Sequence, residues 1–136
     1  MPQPAKRAAA QSTDITAAII LFLFFIPKAS FQNHCRTFIS RSISSVKSIV
    51  STPLADAVAE HYGVELRSVL TGFKWIGDQI ANLEADGEVD RFIFGFEESY
   101  GYLAGPYVRD KDAVIGSMLI CEMAAYYRSI GSSLKQ

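Results

Sequence analysis

Glu97, Glu98 and Ser99 follow an apolar run, Arg91–Phe96, and lead into Tyr100-Gly101-Tyr102. Two carboxylates, a hydroxyl and a glycine backbone in one turn suit a polyol. Each sugar hydroxyl both donates and accepts, and an ionised carboxylate is a strong acceptor. A site built this way rejects ligands lacking the hydroxyl, because its own polar atoms would be left unpaired. The same residues also describe an acidic surface turn in which Ser99 caps a neighbouring backbone group. Further along stands Arg109-Asp110-Lys111-Asp112. These charges fit a solvated run that caps the next helix. They equally fit a site where Lys111 or Arg109 meets a phosphate at a helix start, since free N–H groups and the helix dipole favour anions there. Both roles are compatible, the aspartates capping and the bases binding.

A third stretch, Thr71-Gly72-Phe73-Lys74, sits at a strand-to-helix junction. Thr71 either caps the helix or offers its hydroxyl, with nearby N–H groups, to a ligand oxygen. Lys74 by itself is a surface lysine, and Phe73 and Trp75 suit the core, with stacking on a sugar face as the alternative. No metal spacing accompanies these stretches. His34 and Cys35 are adjacent but lack further His or Cys partners, His61 lies in an amphipathic stretch, and Cys121 falls in an apolar helical run that suits a small core residue.

The elements that must hold these residues follow from periodicity. Val46–Ser51 is short, β-branched and bounded by turn formers, so it is expected to be a strand. Thr52-Pro53 opens a helix with Leu54, Val58 and His61 or Tyr62 at helical spacing, and Gly63 closes it. Val64–Leu70 is a second strand. Phe73–Leu83 is a second helix with Phe73, Ile76 and Ile80 on one stripe. Arg91–Phe96 is a third strand, apolar enough for burial on both faces. Glu97–Arg109 is a loop. Asp112–Ile130 is a long helix, capped by Asp110 or Asp112, with Val114, Met118, Cys121 and Ala125 among its apolar positions. This alternation predicts a three-layer α/β fold, a small, mainly parallel or mixed sheet with helices on both faces. Ligands of such sheets gather beyond the carboxyl ends of the strands. The loops that matter are therefore Ser51-Thr52, Thr71–Lys74 and Glu97–Lys111.

The chain has 136 residues, 49% hydrophobic and 20% charged, enough apolar material for one domain. Its formal net charge of −1 supplies no field for nucleic acid or an anionic membrane. Residues 1–12 are expected to be a disordered lead and 13–45 an apolar helix and linker, with the regular domain at 46–136. Ala17–Ile26 is apolar but too short to span a bilayer, which takes about 20 residues. A buried helix capped by Thr13 or Asp14, a secretory signal, and an altered reading of the gene are all open for it. Two cysteines without a framework favour a reducing cytoplasm.

VKSIVST, TGFKWIGDQI, FIFGFEESYGYLAG and VRDKDAV, in this order, resemble the third domain of the α-D-phosphohexomutases, the phosphoglucomutase and phosphomannomutase type. The resemblance runs from about Val46 to Ser133. It implies that Glu97 and Ser99 bind sugar hydroxyls, that Thr71 and Lys111 help hold the phosphosugar, and, less securely, that Arg109 and Lys74 contribute. The histidine of the EESGH form is replaced here by Tyr100-Gly101, so no histidine role carries over. For an intact family enzyme it implies hexose 1-phosphate and 6-phosphate interconversion, an isomerase activity using Mg²⁺ and a hexose 1,6-bisphosphate activator. The family's phosphoserine loop, metal loop and C-terminal phosphate loop have no counterpart in this sequence. The expectation is therefore a mutase fragment without turnover of its own, whose partners are hexose phosphates, separately supplied mutase domains, or itself through an exposed face. A non-catalytic phosphosugar-binding or interaction module is the alternative.

Overall fold

The computed structural model describes residues 43–134. The expectations for residues 1–12, for Ala17–Ile26 and its cap, and for His34 and Cys35 lie outside them. Within them the chain runs β1 (Ser44–Ser48), α1 (Leu54–Tyr62), β2 (Glu65–Val69), α2 (Phe73–Ala85), a 3₁₀ turn (Val89–Arg91), β3 (Phe92–Phe96), β4 (Tyr102–Leu103) and α3 (Ala113–Ser129). The sheet order is β2-β1-β3-β4. The first two pairings are parallel, and β3–β4 is antiparallel.

This order divides the core. The crossover from β1 to β2 and the crossover from β2 past β1 to β3 run in opposite directions. Connections of this kind are right-handed, so their helices fall on opposite faces. Ala55, Val58 and Ala59 of α1 pack with Phe94, Phe96, Tyr102, Leu119 and Met123 in one cluster. Phe73, Ile76, Ile80 and Leu83 of α2 pack with Val46, Phe92 and Leu103 in the other. The predicted α2 stripe is thus the buried one, and the three-layer α/β expectation holds.

Several details differ from the periodicity. β1 begins two residues before Val46, because Ser44 and Ser45 are carried into the sheet by pairing with Glu65 and Leu66. In α1 the buried face is Ala55, Val58 and Ala59, while Leu54 and His61 are exposed; the small alanines let the helix close on the sheet. The 97–109 segment contains β4, too short to show an alternation. In α3 the buried side is Gly116, Leu119 and Met123. Val114, Met118, Cys121 and Ala125 face solvent instead, Val114 at 70% exposure. α3 is apolar nearly all round, so spacing alone does not choose its inner face. Gly116 does: a β-carbon there would stand 3.3 Å from the Tyr102 ring.

Asp112 caps α3, its carboxylate accepting from the N–H groups of Val114 and Ile115 at 2.8 and 3.2 Å. The Tyr107 hydroxyl donates to the other oxygen at 2.7 Å. These donors, Tyr107 first, hold the Asp112 carboxyl below its ordinary range. Partial burial, then the carboxylate, pushes Tyr107 up to about 12. A folded pKa below the unfolded one stabilises at pH above the unfolded value, near 3.9, and that contribution disappears as pH falls through the folded value. The melting temperatures of wild type and Asp112→Asn should therefore differ at pH 6 and converge toward pH 2. Asp112→Ala should lie below both at pH 6, because it removes the cap as well as the charge. Thermal melts across that range check this.

Candidate functional site

Parallel strands end on the same rim, and Thr71, Glu97, Ser99 and Lys111 lie on the segments around it. β3 hands the chain to Glu97, whose N–H donates to the Gly101 carbonyl at 2.9 Å and closes a five-residue turn back into β4. Tyr100, in the turn, has φ 63°, a left-handed conformation uncommon for a residue with a β-carbon. Glu97 is only 5% exposed. Its Oε1 accepts from the Gly72 N–H at 2.7 Å, which satisfies a buried acceptor that would otherwise be costly. Gly72 has φ 110°, a value suited to glycine.

Thr71 is exposed beside this contact, and Gly72, with no side chain to offer, occupies the cap position of α2. The cap role considered for Thr71 is accordingly not seen. Ser99 is exposed in the 97–101 turn.

Lys111 arrives from the other direction. The Asp112 N–H donates to the Tyr102 carbonyl at 2.8 Å, fastening the start of α3 to β4. Gly101 then sits between the partners: a β-carbon there would lie 3.0 Å from Glu97 Oε2, 3.2 Å from the Phe73 ring and 3.4 Å from Lys111 Cδ. The Lys111 ammonium lies over the Phe73 ring, 5.6 Å from its centre, and 3.2 Å from Asp110 Oδ1. The Lys111 N–H, then its ammonium, hold the Asp110 carboxyl below its usual range. Glu97 and Lys111, fourteen positions apart in the sequence, thus flank one glycine.

The other two bases have partners of their own. Arg109 pairs with Glu84 at 2.5 Å and donates to the Pro106 carbonyl at 2.7 Å. Glu84 is about 16 Å of helix rise from Phe73, so the guanidinium is drawn along α2. Gly77 permits this crossing, since a β-carbon there would meet the Arg109 carbonyl at 2.9 Å. The Lys74 ammonium stands 4.8 Å from the centre of the Trp75 ring.

Three contributors escaped the sequence reading: the Gly72 N–H, the space at Gly101, and the buried Ser48, which hydrogen-bonds Glu98 at 2.6 Å. Backbone donors and missing side chains carry no residue-type signature. The carboxyl-end rule did point to the loops that supply them. Among the described residues no group of three His, Cys, Asp or Glu is placed to hold a metal ion. The arrangement can accept hydrogen bonds from hydroxyls at one wall and meet an anion at the other. No described helix is long and apolar enough to cross a membrane.

Comparisons with known proteins bear on the family and the fold. A family model described as phosphoglucomutase/phosphomannomutase, alpha/beta/alpha domain III, matches residues 29–136, beginning upstream of the Val46 where the motifs start. A phosphoglucomutase of Staphylococcus epidermidis is 46% identical over 89 residues, covering 65% of this chain and 16% of its own. One from Staphylococcus aureus is 44% identical over 90 residues, covering 66% and 16%. The chain therefore spans about a sixth of the length of these relatives. A solved open form of the Paramecium phosphoglucomutase pp63/parafusin superposes with a TM-score of 0.58 at 22% identity, over 86% of this chain and 17% of that one; at that identity it supports the fold alone.

Proposed function

Because this chain belongs to the phosphoglucomutase/phosphomannomutase family and matches its domain III, we propose that it supplies hexose phosphate recognition in the cytoplasm, as one part of a phosphohexomutase. The observation that carries this reading is the meeting of the buried Glu97 carboxylate and the Lys111 side chain around Gly101. Glu97, pre-oriented by the Gly72 N–H, accepts from a sugar hydroxyl. Ser99, exposed in the same turn, can donate and accept. Lys111, with Thr71 nearby on the rim, faces the phosphate. Arg109 and Lys74 support the loops and helix around the site. Such placement contributes by positioning, which is most of what a protein does in phosphoryl transfer. The nucleophilic serine, the metal ligands and the second phosphate loop would come from other mutase domains, its proposed partners, and this chain alone is expected to show no turnover.

Titration of ¹⁵N-labelled protein with glucose 1,6-bisphosphate tests the reading. Resonances of Glu97, Ser99 and Lys111 should move together at millimolar ligand. Lys111→Met should weaken binding by roughly tenfold, the worth of one charge-assisted contact. No perturbation at these residues would reject the site.

A further inference from the structure

The two carboxylates of the turn are tied to different elements. Glu97 answers to the start of α2 through Gly72. Glu98 answers to the end of β1: its Oε2 lies 2.6 Å from Ser48 Oγ. Ser48 is wholly buried, and its Oγ is also 2.8 Å from Ser51 Oγ. The direction of these bonds follows from proton count. An ionised carboxylate only accepts, and a serine hydroxyl has one proton to donate. Ser48 therefore donates to Glu98, and Ser51 donates to Ser48. The relay stands at the β1–β3 boundary, where the two crossovers part in opposite directions and where ligands of such sheets bind. It anchors a turn containing the left-handed Tyr100. Conformations of that kind persist where surrounding contacts over-determine them.

We propose that Glu98 is a positioning residue: acting through Ser48 and Ser51, it latches the 97–101 turn to β1 so that Glu97 and Ser99 face the ligand, and it does not itself contact the sugar. This rests on the reading of Glu97 and Ser99 as hydroxyl ligands. A carboxylate in an E-E-S turn would ordinarily be counted as a second sugar ligand. The geometry assigns it to the scaffold, its oxygen turned toward a buried hydroxyl beneath the turn.

The test compares wild type, Ser48→Ala, Glu98→Ala and Glu98→Gln by ¹⁵N relaxation, first without ligand. Ser48→Ala and Glu98→Ala should drop the backbone order parameters of residues 99–101 below about 0.6 and shift the Gly72 N–H resonance. Glu98→Gln should preserve both, because its amide carbonyl still accepts from Ser48. In titrations, affinity for glucose 1-phosphate should fall about tenfold in the two alanine variants and recover in Glu98→Gln. Affinity for inorganic phosphate, which Lys111 meets, should be unchanged in all. Glu98→Ala carries the test if the buried Ser48→Ala fails to fold. An ordered turn with an unmoved Gly72 signal in Glu98→Ala overturns the latch. So does loss of sugar binding in Glu98→Gln while its turn stays ordered, which would make the carboxylate a ligand. A turn that loosens as expected in a protein whose wild type ignores glucose 1-phosphate upholds the latch and rejects the hydroxyl-recognition reading instead.

Discussion

Asp56→Ala should destabilise the domain by about 3 kcal/mol, and Lys47→Met by less than about 1 kcal/mol, although both remove the same ion pair. The asymmetry comes from where the two charges sit. The Lys47 side chain is 6% exposed in the middle of β1, while Asp56 on α1 is 57% exposed, and the pair closes at 2.5 Å. Removing Asp56 strands an ammonium under the sheet with only the Thr52 carbonyl, at 3.4 Å, to accept from it. A buried charge left without its partner is strongly destabilising. Removing Lys47 leaves a carboxylate that water can still reach, and methionine fills the vacated channel with flexible apolar volume. Against a typical total stability of about 5–15 kcal/mol, the first change is large. Urea denaturation of the two variants side by side decides the matter. Equal losses would mean that the ammonium reaches water or that the pair contributes by packing alone.

Gly95→Ala should cost about 1–3 kcal/mol, the range for overpacking a well-filled core. A β-carbon at Gly95 would lie 2.6 Å from Ile76 Cγ2 and 3.2 Å from the Phe92 ring. Ile76 is wholly buried on α2, so either the helix lifts or the isoleucine leaves its rotamer. The contact atom suggests its own remedy. Ile76→Leu removes the branch methyl that the new β-carbon would strike. The double variant should then be more stable than the sum of the two single losses predicts, with a coupling of about 0.5–3 kcal/mol. Chemical denaturation of the four members of the cycle measures it. Strict additivity would show that the sheet and α2 separate without involving Ile76.

How much of this was legible in the sequence depends on what kind of information each residue carries. The stripe Phe73, Ile76, Ile80 identified the buried face of α2 because Lys74 and Asp78 mark the opposite side. Gly63 announced its left-handed closure of α1, found at φ 68°. α3 offered apolar residues on both sides, and its inner face was decided by the approach of the Tyr102 ring to Gly116, a tertiary event that periodicity does not encode. Cys121 went with that error. The two-residue β4 was hidden for a different reason: its place in the sheet comes from pairing with Gly95 and Phe96, and its length shows no period. The candidate site was legible as residue types on three loops. Its internal wiring was not, since Gly72 contributes an N–H, Gly101 contributes empty space, and Ser48 looked like any strand residue.

The rim opposite the 97–101 turn has a different character. There Glu65, at the first position of β2, pairs with Arg67 at 2.7 Å and with Arg91, which Glu88 also engages, and Arg67 reaches Gln79 on α2. This ionic clasp fastens the amino ends of the strands to the surrounding helix and turn. The domain therefore keeps its ionic fastening and its 97–101 turn at opposite poles. Loop lengths and side chains at the 97–101 pole can be exchanged without loosening the clasp, so, on the proposed function, a single scaffold would be retuned from one sugar to another while its foundation stays as it is.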